Sequence, residues 1–192
     1  AADSIVAVKH FLAEEPGGFE TLLAALRSDF AGAQLLRARL LGYPKYGANR
    51  QEPDETAVRV AARVCEKVSA LRNPSGAPFM PDFSTPSTHL LYGCWVGATP
   101  DGRRAGFPFA DGAGPAQGRE KEGPTAAVNS VCSWNHLPML GGSAFNQRYT
   151  AAAVATPAAR ENLKQLIDIF IRFGGFETQV NILDAARLKA AQ

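Results

Sequence analysis

The stretch Gly97-Ala98-Thr99-Pro100-Asp101-Gly102-Arg103-Arg104-Ala105-Gly106 lies in the mixed second part of the chain, after a helix-rich first part, and its reading decides the fold. Pro100-Asp101-Gly102 is a tight turn. Proline presets φ, the aspartate side chain bonds back to nearby backbone, and glycine accepts a positive φ. Chemically that says only turn. The turn opens a Gly/Pro-rich excursion from Gly97 to Pro124, which carries Ala110-Asp111-Gly112, Gly123-Pro124-Thr125-Ala126-Ala127 and a short apolar patch at Phe107–Phe109. Loops of this length without structure of their own are uncommon in compact domains and are often functional.

Upstream, Thr85 to Val96 is rich in β-branched and aromatic residues around Leu90, Leu91, Tyr92 and Trp95, which predicts a buried strand. Asn73 to Pro86, dense in Pro, Gly and Ser, reads as loop. Residues 1–72 read as mostly helical. Ile5, Val8 and Leu12 follow helical spacing, with Asp3 or Ser4 as the cap and Pro16-Gly17-Gly18 as the stop. Short helices follow at Phe19–Asp29 and Ala33–Leu41. After the loop Gly42–Pro53, Asp54 is expected to cap a long amphipathic helix through Val58, Ala61, Val64, Cys65, Val68 and Leu71. Residues 73–192 read as strand, loop and helix. They hold a helix Thr125–Cys132, a strand Ser143–Tyr149, a helix opened by Thr156-Pro157 and closed by Gly174-Gly175, a strand Phe176–Leu183 and a last helix Asp184–Gln192. Strands alternating with helices predict an α/β layer arrangement in a single region, 1–192.

With 192 residues, 46% hydrophobic and 20% charged, the chain has room for one core. A formal charge of +2, with basic residues scattered among acids, gives no footprint for nucleic acid. No apolar run approaches the roughly 20 residues that cross a bilayer, and no signal-peptide pattern opens the sequence, so a cytoplasmic protein without a membrane partner is expected. Cys65, Cys94 and Cys132 are an odd set without C-x-x-C spacing, which predicts reduced, buried thiols and neither a disulfide framework nor a zinc site. His10, His89 and His136 stand far apart, without a carboxylate at ligand spacing, and no metal is expected. Ser87, His89 and Asp101 could be arranged as a triad on paper, but no nucleophile-elbow motif supports hydrolysis.

Taken together, the rim stretch and its companions resemble the segment that glycyl radical enzymes of the pyruvate formate-lyase and diol dehydratase superfamily carry late in their catalytic barrel. Other matches fall in the same order. Tyr43-Pro44-Lys45-Tyr46-Gly47-Ala48-Asn49 with Asp54 is similar to a P-K-Y-G-N-D stretch with one alanine inserted, and Phe173-Gly174-Gly175-Phe176, Gln179-Val180-Asn181 and Ala190-Ala191-Gln192 are similar to the run that leads toward the radical glycine. The resemblance covers nearly the whole chain. It implies the late strands of a ten-stranded α/β barrel, built as two half-barrels wrapped by helices, with a cysteine loop and a glycine loop meeting inside. It places the radical cysteine upstream of the matched region and the radical glycine downstream, in an R-V-x-G-Y-like stretch. Neither is found in these residues, so the glycine radical domain is expected to be absent and no residue is assigned as catalytic. Leu41-Gly42-Tyr43 lacks the Arg-Val lead and reads as a turn.

In the resembling enzymes the strand equivalent to Phe83–Val96 is a barrel wall that helps shape the substrate pocket. Strand alternation puts Phe83, Thr85, Ser87 and His89 on one face, the candidate pocket residues, against a plain packing role. Thr99, Asp101, Gly102 and Arg103 are expected to brace the rim, although an arginine fork there could also hold a carboxylate substrate. Gly123-Pro124-Thr125-Ala126-Ala127 and Gly97-Ala98 look more like the dehydratase and lyase branches than like formate acetyltransferase, the alternative. The parent enzyme would bind no further cofactor and would carry a glycyl radical installed by a radical S-adenosylmethionine activating enzyme. Its partners would be that enzyme, the remaining chain, and further copies in a homo-oligomer. A reading of another class is a stand-alone, non-catalytic scaffold derived from the barrel.

Overall fold

The computed structural model describes residues 1–85, 87–184 and 186. Four helices come first: α1 (Ala2–Glu14), α2 (Phe19–Arg27), α3 (Gln34–Gly42) and α4 (Gln51–Ala70). Strand β1 (Asp82–Phe83), helix α5 (Thr88–Trp95), the irregular excursion, helix α6 (Pro124–Val131) and strand β2 (Gly142–Thr150) follow. A 3-10 turn at Ala151–Val154, helix α7 (Pro157–Arg172) and strand β3 (Glu177–Leu183) complete the described elements. The sheet is parallel, in the order β1-β2-β3, with Asn146 opposite Gln179 and Arg148 opposite Asn181. Helix α7 makes the crossover from β2 to β3. Thr156 caps it by accepting from the Ala159 N–H, and Pro157 sits where its missing N–H costs nothing.

Two apolar clusters hold these elements. The larger joins α4, α6 and α7 to β2 through Cys65, Val128, Val131, Trp134, Met139, Phe145, Leu166 and Phe170. The smaller packs α1, α2 and α3 around Phe11, Leu22, Phe30 and Leu40. His136 pins the start of β2 to α6. Its Nε2 lies 2.7 Å from the Val131 carbonyl and so must donate, which leaves Nδ1 to accept from the Ser143 hydroxyl at 2.8 Å. Burial holds its pKa below the ordinary value, and the neutral ring stacks on Trp134 at 3.8 Å.

Four expectations are corrected. The strand over Thr85–Val96 is not formed: β1 stops at Phe83 and Thr88–Trp95 is helical. Leu90-Leu91-Tyr92 is a short apolar run whose periodicity cannot separate strand from helix. Tertiary packing decides, because the helix places His89 and Gly93, four apart, against the loop at Phe107–Phe109, where any Cβ on Gly93 would collide with the Phe107 carbonyl. Cys94, expected as a buried thiol, consequently lies exposed on α5, beside the exposed side chains of Leu90, Leu91 and Trp95. Asp3 and Ser4 do not cap α1, whose N-cap is Ala1, since both side chains turn inward to tertiary partners. Nor does Asp54 cap α4. Pro53 is tolerated in the first turn, so the helix starts at Gln51 and carries Asp54 inside. The helix expected over Asp184–Gln192 falls largely outside the described residues.

Candidate functional site

The rim loop is organised around one guanidinium. Arg103 is 8% exposed, and its nitrogens donate to the carbonyls of Gly93 (3.4 Å), Val96 (3.1 Å), Arg104 (3.0 Å), Phe107 (2.7 Å) and Gly97, and to the Thr99 hydroxyl (3.2 Å). It also stacks over Phe109 at 4.0 Å. Three of these carbonyls lie at the C-terminal end of α5, where the helix dipole favours a cation. The guanidinium donors are thus engaged by the backbone of the loop and of α5 and by the Thr99 hydroxyl. Burial pushes the Arg103 pKa down, against the pull of Asp101 and Asp29. Arg104 and the Ala105 N–H both reach Asp29, tying the loop to the turn after α2.

Asp101 closes its turn on the Thr99 hydroxyl and not on the expected backbone. Its carboxylate accepts from the Thr99 hydroxyl (2.6 Å) and the Ser4 hydroxyl (3.2 Å) and lies 3.6 Å from Arg119, so it connects the loop to α1. Gly102 has φ +90, and a Cβ there would come within 2.7 Å of Leu41, so glycine is required for backbone and space alike. Its carbonyl accepts from Arg37 at 2.9 Å.

Beneath the loop, the Tyr43–Gly47 stretch acts as a clasp, a role the sequence pattern did not reveal. Lys45 is 7% exposed and donates to the carbonyls of Leu40 (2.7 Å) and Tyr43 (2.9 Å); burial lowers its pKa, opposed by Asp3. The Tyr46 N–H donates to Asp3 at 2.8 Å, and its hydroxyl donates to the Ala113 carbonyl at 3.1 Å while accepting from Trp134. Burial raises the pKa of Asp3, with Asp101 pushing in the same direction and the Tyr46 bond opposing. Only the inward aim of Asp3 on α1, which no local pattern encodes, brings these groups together.

A cavity of about 560 Å³ lies between α1, α4 and the loop. Asp3, Asp101 and Arg119 line its polar end, and Ala57, Val60 and Val64 its apolar side. The Arg119 Nε is buried without a partner. Of the candidate pocket residues, only Phe83 lines this cavity. Thr85 and Ser87 precede α5 and His89 lies in its first turn: the His89 ring bonds the Thr85 carbonyl at 2.9 Å, and the Thr85 hydroxyl is buried without a partner. They do not share a strand face with Phe83. Among the described residues no cluster of three or more His, Cys, Asp or Glu could hold a metal, and no helix is long and apolar enough to cross a membrane.

Comparisons with known proteins define the class. A family model described as Pyruvate formate lyase-like matches residues 1–93, and one described as Glycine radical matches residues 109–192. The fold superposes on the glycerol-bound form of the B12-independent glycerol dehydratase from Clostridium butyricum with a TM-score of 0.93 and 36% identity, over 100% of this chain and 24% of that one. The sheet and its helices are therefore part of a glycyl radical enzyme barrel, and the chain belongs to the glycyl radical enzyme superfamily. It is 32% identical over 201 residues to a probable dehydratase, YbiW, of Escherichia coli K12, covering 99% of this chain and 25% of the relative. It is also 32% identical over 153 residues to the PFL-like enzyme TdcE of the same organism, there covering 76% of this chain and 20% of the relative. The chain thus spans about a quarter of the length of the relatives it matches.

Proposed function

We propose that these residues form the late barrel strands of a glycyl radical enzyme that acts as a lyase or dehydratase on a small organic substrate. The observation that carries the reading is the extent of the match: similarity to the dehydratases runs through the whole chain, whereas similarity to the PFL-like enzyme covers 76% of it. Formate acetyltransferase chemistry is the weaker reading on the same ground. In this reading the chain's own residues supply walls and bracing. The cysteine that becomes a thiyl radical and the glycine that stores the radical belong to the rest of the protein, because no R-V-x-G-Y-like stretch occurs in these 192 residues. Phe83, on the cavity wall, is the pocket candidate best supported by position, while Thr99, Asp101, Gly102 and Arg103 hold the rim. A radical S-adenosylmethionine activating enzyme would install the radical, and the assembly would be a cytoplasmic homo-oligomer. The test uses the complete reading frame, activated anaerobically and offered glycerol, 1,2-propanediol, trans-4-hydroxy-L-proline, isethionate, or pyruvate with coenzyme A. Elimination of water or sulfite supports the reading, and formate release from pyruvate overturns it in favour of acyl transfer.

A further inference from the structure

The cavity between α1, α4 and the rim loop has the make-up of a small-molecule site. Its volume of about 560 Å³ falls within the roughly 300–1,000 Å³ usual for such sites. One side is carbon. Ala57, Val60, Ala61 and Val64 recur at helical spacing along α4, with Phe83 and Trp134 beside them. Val60 and Val64 are only half-buried, an apolar surface that the carbon body of a ligand would cover.

The polar end is cationic. Four arginines, Arg37, Arg103, Arg104 and Arg119, line the cavity against two aspartates, Asp3 and Asp101. Two of the four are committed elsewhere, Arg103 to the carbonyls around it and Arg104 to Asp29. Arg37 and Arg119 keep donors to spare. Their guanidinium groups rest on consecutive carbonyls of the rim turn, Arg119 on that of Asp101 at 3.3 Å and the Arg37 Nε on that of Gly102 at 2.9 Å. Among the described residues Arg37 has no carboxylate within ion-pair distance and makes no other hydrogen bond, and the buried Nε of Arg119 has no partner. Asp101 is occupied by the Ser4 and Thr99 hydroxyls as well as by Arg119, and Asp3 by the Tyr46 N–H. A buried donor without an acceptor costs free energy, and an incoming anion relieves that cost. The walls decide which anion. A dianion would give up strong hydration for carbon-lined space, whereas a carboxylate carries one charge, fits the guanidinium fork and brings a carbon body for α4.

We propose that this cavity binds a small organic carboxylate, its acid group held by the guanidinium groups of Arg37 and Arg119 and its carbon body laid against Val60 and Val64. The binding needs no radical and stands or falls apart from the radical chemistry.

The experiment is isothermal titration calorimetry of the complete, unactivated enzyme with butyrate, with its neutral isostere butyramide, and with inorganic phosphate. Butyrate binds, and butyramide and phosphate bind more weakly by about tenfold or more. Arg37→Gln removes the charge and lowers butyrate affinity by about tenfold, at unchanged circular dichroism. Val60→Phe is measured alongside, because it leaves both arginines in place and fills the space beside α4; it abolishes butyrate binding even where Arg37→Gln does not fold. Butyrate that binds no tighter than butyramide, phosphate that binds tighter than butyrate, or butyrate affinity unchanged in either folded variant overturns the proposal. So does a complete enzyme that binds none of the three compounds, as when its own chain fills the cavity.

Discussion

Arg103→Lys isolates the role of the rim loop. The guanidinium engages five backbone carbonyls and one hydroxyl at a site only 8% exposed, and an ammonium has three donors from a single point. At least two carbonyls lose their partner, at about 1 kcal/mol or more each, and the stacking on Phe109 weakens by about 1 kcal/mol. The expected loss is about 3 kcal/mol, or a fall in melting temperature of roughly 6–12 °C for a domain of this size. Urea unfolding followed by circular dichroism measures it, with radical yield and turnover per radical recorded on the complete enzyme. The reasoning is refuted if the midpoint moves by less than about 0.5 kcal/mol while turnover is abolished, because the guanidinium would then be acting on substrate.

Other perturbations probe the remaining pieces. Gly47→Ala meets both a φ of +95 and a collision with Pro115, so it should lower stability by about 2–4 kcal/mol; an unchanged urea midpoint would show that the clasp yields without cost. Asp3 has a raised pKa from burial, so the folded state holds its proton longer than the unfolded state, and its contribution declines as pH rises from about 4 through the folded pKa. Asp3→Asn keeps the acceptor for the Tyr46 N–H and should flatten that decline in urea titrations across pH; a slope identical to wild type would assign the effect elsewhere. Under maleimide, Cys94 should label first, ahead of buried Cys65 and of Cys132, whose thiol burial pushes up to about 11. Mass spectrometry of the labelled peptides decides, and equal rates at all three would contradict the burial described here.

The sequence by itself determined the elements whose signals are local. Helix α7 between Thr156-Pro157 and Gly174, the strands β2 and β3, and the turn at Pro100–Gly102 each carry their own caps, breakers or alternation, and the ordered motifs pointed to the superfamily that the comparisons show. What only the tertiary structure decided depends on contacts distant in sequence. Thr88–Trp95 is a helix because Gly93 meets Phe107 and Arg103 neutralises its C-terminal carbonyls, neither of which can be read from the apolar run itself. Asp3 binds Tyr46 instead of capping α1, and Asp101 holds Ser4 as well as the Thr99 hydroxyl of its own turn, because a polar side chain facing a core takes whichever buried partner the packing brings near. The packed face of the sheet is chosen in the same way: alternation is visible along each strand, but which side is covered is settled only when α7 packs Phe170 onto Phe145.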